Sequence, residues 1–211
     1  MTAVMTGVRI LEVAEHTFVP LASGVLSDWG AEVIKIEHVE RGDAMRGLGT
    51  SGGPSVGGNG VHLFMEHANR GKQSIGVDLT KPEGRDIVYQ IAKTCDVFLT
   101  NKLPAVAAKL KMDVEDIRAV NPNIIYARGT GYGPIGPDRN VGGYDALGFW
   151  ARSGIGSAMR GPEMDYLPNQ PGPAVGDSIG AMFIAAGSRL PCSIAGRPGT
   201  RPWRTSTDRR R

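Results

Sequence analysis

Three neighbouring stretches decide the fold: Val8–Val13 (VRILEV), Pro20–Gly30 (PLASGVLSDWG) and Glu32–Glu37 (EVIKIE). The first and third are rich in Val and Ile, which suit a pleated strand. The middle one places Leu21, Val25 and Leu26 on one helical face. Strand, helix and strand within about thirty residues form a βαβ unit, and such units build parallel sheets.

The pattern continues outward. Gln73–Leu79 (QSIGVDL), Asp96–Thr100 (DVFLT) and Asn123–Arg128 (NIIYAR) read as further strands. Helices are expected at Lys81–Cys95, with Pro82 in the first turn, at Ala105–Leu110, and at Asp113–Val120, with Asp113 as N-cap and Asn121-Pro122 as stop. Together these predict an α/β fold, a Rossmann-like, doubly wound, mostly parallel sheet of at least five strands. Gly47–Gly60 carries seven glycines in fourteen residues and forms no regular element. It is either a surface loop or a segment laid against a ligand. Gly129–Gly143 is rich in turns, residues 144–160 return to helical spacing, Pro162–Pro173 is loop, and Asp177–Ala186 (DSIGAMFIAA) is a helix.

The 211 residues are 41% hydrophobic and 21% charged, which excludes disordered and fibrous classes for the bulk. The net charge of +3 is unevenly placed: residues 188–211 carry +6 and the rest −3. That Arg-rich segment has no aromatic interleaving beyond Trp203 and no amphipathic period, so neither nucleic acid nor a membrane surface is an expected partner. Residues 1–187 are expected to form the folded body. Residues 188–211 read as a basic tail of low order with an out-of-frame composition. Two cysteines make no disulfide framework, and Cys95 reads as a small buried hydrophobe. Without a long apolar run or a signal-peptide build, the expectation is a cytoplasmic protein.

Several motifs admit a chemical reading. Gly47-Leu-Gly49-Thr-Ser-Gly52 fits G-x-G-x-x-G, but neither the strand before it nor the helix after it is in place, and the first strand-to-helix turn has no glycine, so no NAD site is expected. The four histidines, His16, His38, His62 and His67, have no matching ligand cluster, so no metal is expected. His16, after the first strand, is the best-placed acid/base candidate, with a surface loop histidine as the alternative. Asn69-Arg70-Gly71-Lys72 suits a phosphate or carboxylate, or is a solvated turn. Asp177, opening its helix, is either a cap or a carboxylate that the helix dipole keeps ionised for nucleophilic work.

In combination, Gly7–Val13, Leu26–Glu37, Arg41-Gly-Asp43, Asn69–Lys72 with Asp78-Leu79, Asp96–Asn101, Asn121–Tyr126, Gly131-Tyr-Gly133 with Gly136-Pro137, and Gly176-Asp177 resemble the family III CoA-transferases, of the formyl-CoA and carnitine CoA-transferase type. The resemblance implies that Asp177 is the nucleophile, that coenzyme A and acyl-CoA are substrates rather than bound cofactors, and that a carboxylic acid accepts the CoA. It places Thr17 and Phe18 at the thioester pocket and His38 near the adenosine. It assigns Asn69, Arg70, Gly71 and Lys72 to adenine and phosphate, Asn101, Lys102 and Leu103 to a CoA-contacting turn, and Lys109 to a phosphate. Tyr144 falls beside the thioester, where the related α-methylacyl-CoA racemases carry a His, and so tilts the reading to transferase over racemase. A CoA-binding fragment without turnover is the remaining alternative. Thr17 and His38 replace a Gln and an Arg of formyl-CoA transferase, so formyl or oxalate specificity is not implied. Family members are about twice this long and form interlocked homodimers, and the chain reads as their N-terminal half, truncated.

Overall fold

The computed structural model describes residues 3–48 and 61–195. Most of the glycine-rich stretch, including the G-x-G-x-x-G match beyond Leu48, and the Arg-rich segment beyond Ala195 lie outside the described residues. Five strands form one sheet: β1 (Arg9–Val13), β2 (Glu32–Glu37), β3 (Gln73–Gly76), β4 (Val97–Thr100) and β5 (Ile125–Arg128). Their order is β3-β2-β1-β4-β5 and every pairing is parallel. The predicted Rossmann-like, doubly wound sheet is what the chain forms.

Alternation along the central strands sorts the core into two faces. Ile10, Val33, Val97 and Leu99 point to one side. There they meet Leu21, Val25 and Leu26 of α1 (Phe18–Asp28) and Ala181 and Ala185 of the last helix. Leu11, Val13, Ile34, Ile36 and Phe98 point to the other side. They are covered by Val88 and Ala92 of α3 (Pro82–Ala92) and by Ile117 of α5 (Val114–Val120). Strands buried on both faces are the norm in parallel sheets. Between these, α2 (Leu63–Asn69) packs on α1, α4 (Pro104–Lys109) follows β4, and α6 (Ile155–Ala158) follows a π-helical segment at Ala146–Ala151. Asp113 caps α5 in a reciprocal capping box with Asp116. Cys95 is buried, as expected, in the turn that leads into β4.

One boundary differs. The last helix, α7, runs from Val175 to Ala195, eight residues past the expected end of the folded body at 187. Pro191 and the loss of apolar period suggested coil there, yet the helical backbone continues through it. The N-terminal part of α7 lies across α1, and Ser188 is still buried. The opposite side of the helix keeps Ile179, Met182 and Phe183 exposed.

Candidate active site

Asp177 is in the first turn of α7, half-buried. Its backbone N–H donates to Asp145 Oδ1 at 2.9 Å, and Gln170 Nε2 donates to Asp145 Oδ2 at 3.0 Å. Gly176 makes this approach possible. A methyl group at that position would run into the Phe149 ring and Asp145 Oδ1. Among the described residues none donates a hydrogen bond to the Asp177 carboxylate, nor does that carboxylate cap the helix backbone. Burial, and then the neighbouring Asp145 charge, push its carboxyl up to about 6. Both causes oppose ionisation, and both act at the same helix terminus whose dipole favours it. With its carboxyl at about 6, Asp177 is mainly ionised at pH 7.

The turn from β1 into α1 faces this helix. His16 adopts a left-handed backbone (φ 67°), and its ring meets the Tyr144 ring edge-on with centroids 5.5 Å apart. Thr17 is buried at the start of α1, and its carbonyl accepts from Leu21 N–H at 2.7 Å. Phe18 wedges between Gly129, at the end of β5, and Gly180, one turn along α7. A Cβ at Gly180 would lie 2.5 Å from Phe18 Cε2, so that glycine lets α7 settle onto the ring. Tyr144 itself is exposed. The structure thus gathers Thr17, Phe18, Tyr144 and Asp177 at the carboxyl edge of the sheet, where open α/β sheets bind ligands.

On the same edge, a cleft of about 130 Å³ is lined by His38, Arg41, Asp78, Thr80 and Lys102 with the ends of β1 and β2. His38 Nδ1 accepts from Glu40 and Arg41 N–H at 3.2 and 3.4 Å. Asn101 clamps Glu15 from both sides, accepting from its N–H at 3.2 Å and donating to its carbonyl at 2.6 Å. Lys102 pairs with the Glu15 carboxylate at 2.7 Å. Leu103 precedes α4, and Lys109, in its last turn, is exposed.

The side chains of the segment Asn69–Lys72 are paired within the chain. Arg70 is engaged by Asp28 at 2.6 and 2.9 Å. Lys72 points inward, its side chain 2% exposed, and spends all three donors on Glu12 Oε2 (2.7 Å), the Pro20 carbonyl (2.7 Å) and Asn69 Oδ1 (3.1 Å). Gly71 (φ 72°) offers its carbonyl to Ser27 Oγ. The four residues precede β3 at the amino end of the strand, and their cations neutralise carboxylates of the protein itself.

That inward turn exposes a cluster the sequence reading missed. Glu12 on β1, Lys35 on β2, Asp43 and Lys72 form a buried ionic group of two carboxylates and two ammoniums. A signal was present: Glu12 and Lys35 interrupt two apolar strands and are register partners across the β1–β2 pair. The role of Asp145 was also missed. Its signal, a second acid next to Tyr144, gains meaning only once α7 packs beside it. Among the described residues no group of His, Cys, Asp or Glu could hold a metal ion, and no helix is long and apolar enough to cross a membrane.

A family model described as CoA-transferase family III matches residues 5–196. The chain is 35% identical to a succinate–glutarate CoA-transferase of Agrobacterium fabrum, over 92% of this chain and 48% of that protein. It is 39% identical to the succinyl-CoA:glutarate CoA-transferase of Mus musculus, over 85% of this chain and 39% of that protein. Among solved structures it is similar to the orthorhombic form of Rv3272 from Mycobacterium tuberculosis, with a TM-score of 0.81 and 32% identity over 93% of this chain and 52% of that one. The chain therefore spans about half the length, or less, of the relatives it matches. With a family model spanning its whole sheet and α7, this chain belongs to CoA-transferase family III.

Proposed function

We propose that the chain carries the nucleophile of a transferase that moves CoA from an acyl-CoA thioester to a carboxylic acid, with Asp177 as the attacking carboxylate. The observation that carries this reading is the Asp177 carboxylate itself. It is half-buried, unpartnered among the described residues, and sits in the first turn of α7 at the carboxyl edge of the sheet. A carboxyl raised to about 6 is ionised near neutrality yet more basic than an ordinary aspartate, which favours attack.

In the first step, an Asp177 carboxylate oxygen attacks the thioester carbonyl carbon. The C–S bond breaks, giving an aspartyl–acyl anhydride and CoA thiolate. The thiolate then attacks the aspartyl carbonyl and expels the donor's carboxylate, leaving an aspartyl-CoA thioester. The incoming carboxylate attacks that thioester, again releasing thiolate, and the thiolate takes the acceptor acyl group and frees Asp177. The cycle uses CoA only as substrate and needs no resident cofactor. The names of the matched relatives support dicarboxylic acids such as succinate and glutarate as the class of acyl group. The pairing of full-length protomers into a homodimer belongs to the same proposal.

One observation favours a second reading. The His16 ring lies edge-on to the Tyr144 ring with centroids 5.5 Å apart, and an imidazole is a group able to move the α-proton in a racemase. The two readings separate on one experiment: incubation with succinyl-CoA, then hydroxylamine, in deuterated buffer. Transfer predicts a hydroxamate on Asp177 that forms only when the thioester is present, and no such adduct in Asp177→Ala, which still binds CoA. Deuterium uptake at the acyl α-carbon without any Asp177 adduct would establish the racemase. Unchanged turnover in Asp177→Ala overturns the transfer reading.

A further inference from the structure

The turn Ala14–Pro20 between β1 and α1 makes its bend without a glycine and holds His16 at φ 67°, a region that disfavours residues with a Cβ. Something must hold it there. The buried ionic cluster reaches that turn at three backbone atoms. Lys35 Nζ donates to the Ala14 carbonyl at 2.9 Å. Asp43 Oδ1 accepts from the His16 N–H at 2.9 Å. Lys72 Nζ donates to the Pro20 carbonyl at 2.7 Å. Within the cluster, Lys35 bridges Glu12 Oε1 (2.7 Å) and Asp43 Oδ2 (2.8 Å), and Glu12 Oε2 takes Lys72 and the Ser23 hydroxyl. The four charges cancel, and Glu12, Lys35, Asp43 and the Lys72 side chain are almost fully excluded from water. Asp43 is itself fixed by donating its N–H to Glu37 Oε2 at 2.8 Å and by accepting from Met45 N–H at 2.9 Å.

We propose that Asp43 is a positioning residue: oriented by Lys35 from inside the sheet, it holds the His16 backbone in its left-handed form and so sets the His16 ring against Tyr144 beside the candidate nucleophile. The importance of that contact for catalysis rests on the Asp177 reading, but the positioning itself does not. The cluster lies under α1, on the same sheet face as Ile10 and Val33, and touches no atom of the Asp177 carboxylate. Its effect on the site passes through the turn. A buried pair retained at a desolvation cost in order to fix one conformation is a recognised use of buried charge.

The test is made on the full chain by NMR. In the unsubstituted protein, a scalar coupling across the hydrogen bond is expected between the His16 amide nitrogen and the Asp43 carboxyl carbon, together with a nuclear Overhauser effect between the His16 and Tyr144 rings. In Asp43→Asn, which keeps an acceptor oxygen but loses the charge that Lys35 holds, the ring contact is expected to weaken. Amide exchange at His16 should accelerate by roughly 10- to 100-fold, while Ile10, in the centre of β1, keeps its protection. Asp43→Glu, with the charge restored on a longer arm, should recover part of the ring contact. Retention of the His16–Tyr144 contact and of His16 protection in a folded Asp43→Asn overturns the proposal. So does equal loss of protection at His16 and Ile10, which marks the cluster as general ballast for the sheet. If the variant does not fold, the coupling decides: its absence in the unsubstituted protein, with His16 exchanging freely, also overturns it. Because none of these signals needs turnover, failure of the Asp177 reading leaves them intact.

Discussion

Asp145 touches Asp177 through the backbone: its Oδ1 takes the Asp177 amide proton at 2.9 Å, which places a second carboxylate beside the candidate nucleophile. The contact has two consequences of opposite kind. It pins the first turn of α7, and it makes ionisation of Asp177 harder. Asp145→Asn separates them, since the amide oxygen can still accept while the charge is gone. The Asp177 carboxyl is then expected to titrate below its value of about 6, moving toward that of an ordinary aspartate without reaching it because burial persists. A carboxyl-carbon NMR titration reads this directly, and an unmoved midpoint would assign the whole shift to burial.

Ionised Asp177 costs the fold stability. Its folded value is raised above 3.8, so its stabilising contribution is fully present below that pH and is lost as pH rises through about 6. Asp177→Asn stays neutral throughout. It is expected to exceed the parent chain by about 1–3 kcal/mol near pH 8, with no advantage at about pH 4. Urea unfolding at the two pH values measures the difference. Equal stability at both would mean that the carboxylate is better solvated than its surroundings indicate.

Gly176→Ala drives a methyl group into Phe149 and Asp145. Overpacking of this kind typically costs about 1–3 kcal/mol. The variant should therefore melt earlier and lose the Asp145–Asp177 contact. The double variant Gly176→Ala with Phe149→Ala should recover part of the loss, because the ring is one of the two obstructions. A single variant as stable as the parent would show that the loop ahead of α7 yields freely.

Glu37 contributes to acid stability. Two hydrogen bonds from Arg46, at 2.8 and 2.9 Å, are the largest cause holding its carboxyl down at about 2, below its ordinary 4.5. A depressed carboxyl stabilises the fold above about 4.5 and loses that contribution as pH falls toward about 2. Arg46→Met should raise the Glu37 titration and move the midpoint of acid unfolding to higher pH. An unchanged acid midpoint, followed by circular dichroism, would contradict this.

Cys95 is 4% exposed, and burial pushes its thiol up to about 11. A buried thiol with so little thiolate reacts slowly. In a Cys192→Ser background, maleimide labelling should be negligible for the folded chain and rapid in denaturant. Fast labelling of the folded protein would place Cys95 in a region that opens locally.

The sheet was readable because its signal is local. Glu32–Glu37 has the predicted limits, and the other four strands begin or end within three residues of expectation, since β-branched and apolar runs between turns mark strands even where, as in β3, the strand is exposed. α2 was not, because Leu63–Asn69 is short and buries only Met65 and Ala68. The site divided in the same way. Asp177 stood out through Gly176 and the helix that follows. Lys72 could not be read as a buried ion, because its partner Glu12 lies sixty residues earlier and only the sheet brings them together. A lysine beside a glycine turn has the same local pattern whether it faces solvent or a carboxylate. Physical reasoning from the sequence could propose the charge, and only packing could give its direction.

The central strand has a further consequence, for the order in which the molecule can be made. β1 is paired on one side with β4, so that Thr100 Oγ1 donates to the Val13 carbonyl across 87 residues. Every pairing in the sheet is likewise parallel and is made through a crossover. High contact order of this kind slows folding. The apolar cover of α1 is completed only when Ala181 and Ala185 of α7 join the strand residues already packed on it. At ribosomal rates of about 5–20 residues per second, that cover stays incomplete for roughly ten to thirty seconds of synthesis. During that interval Leu21, Val25 and Leu26 lack their α7 neighbours, so the last helix made finishes the cover of the first.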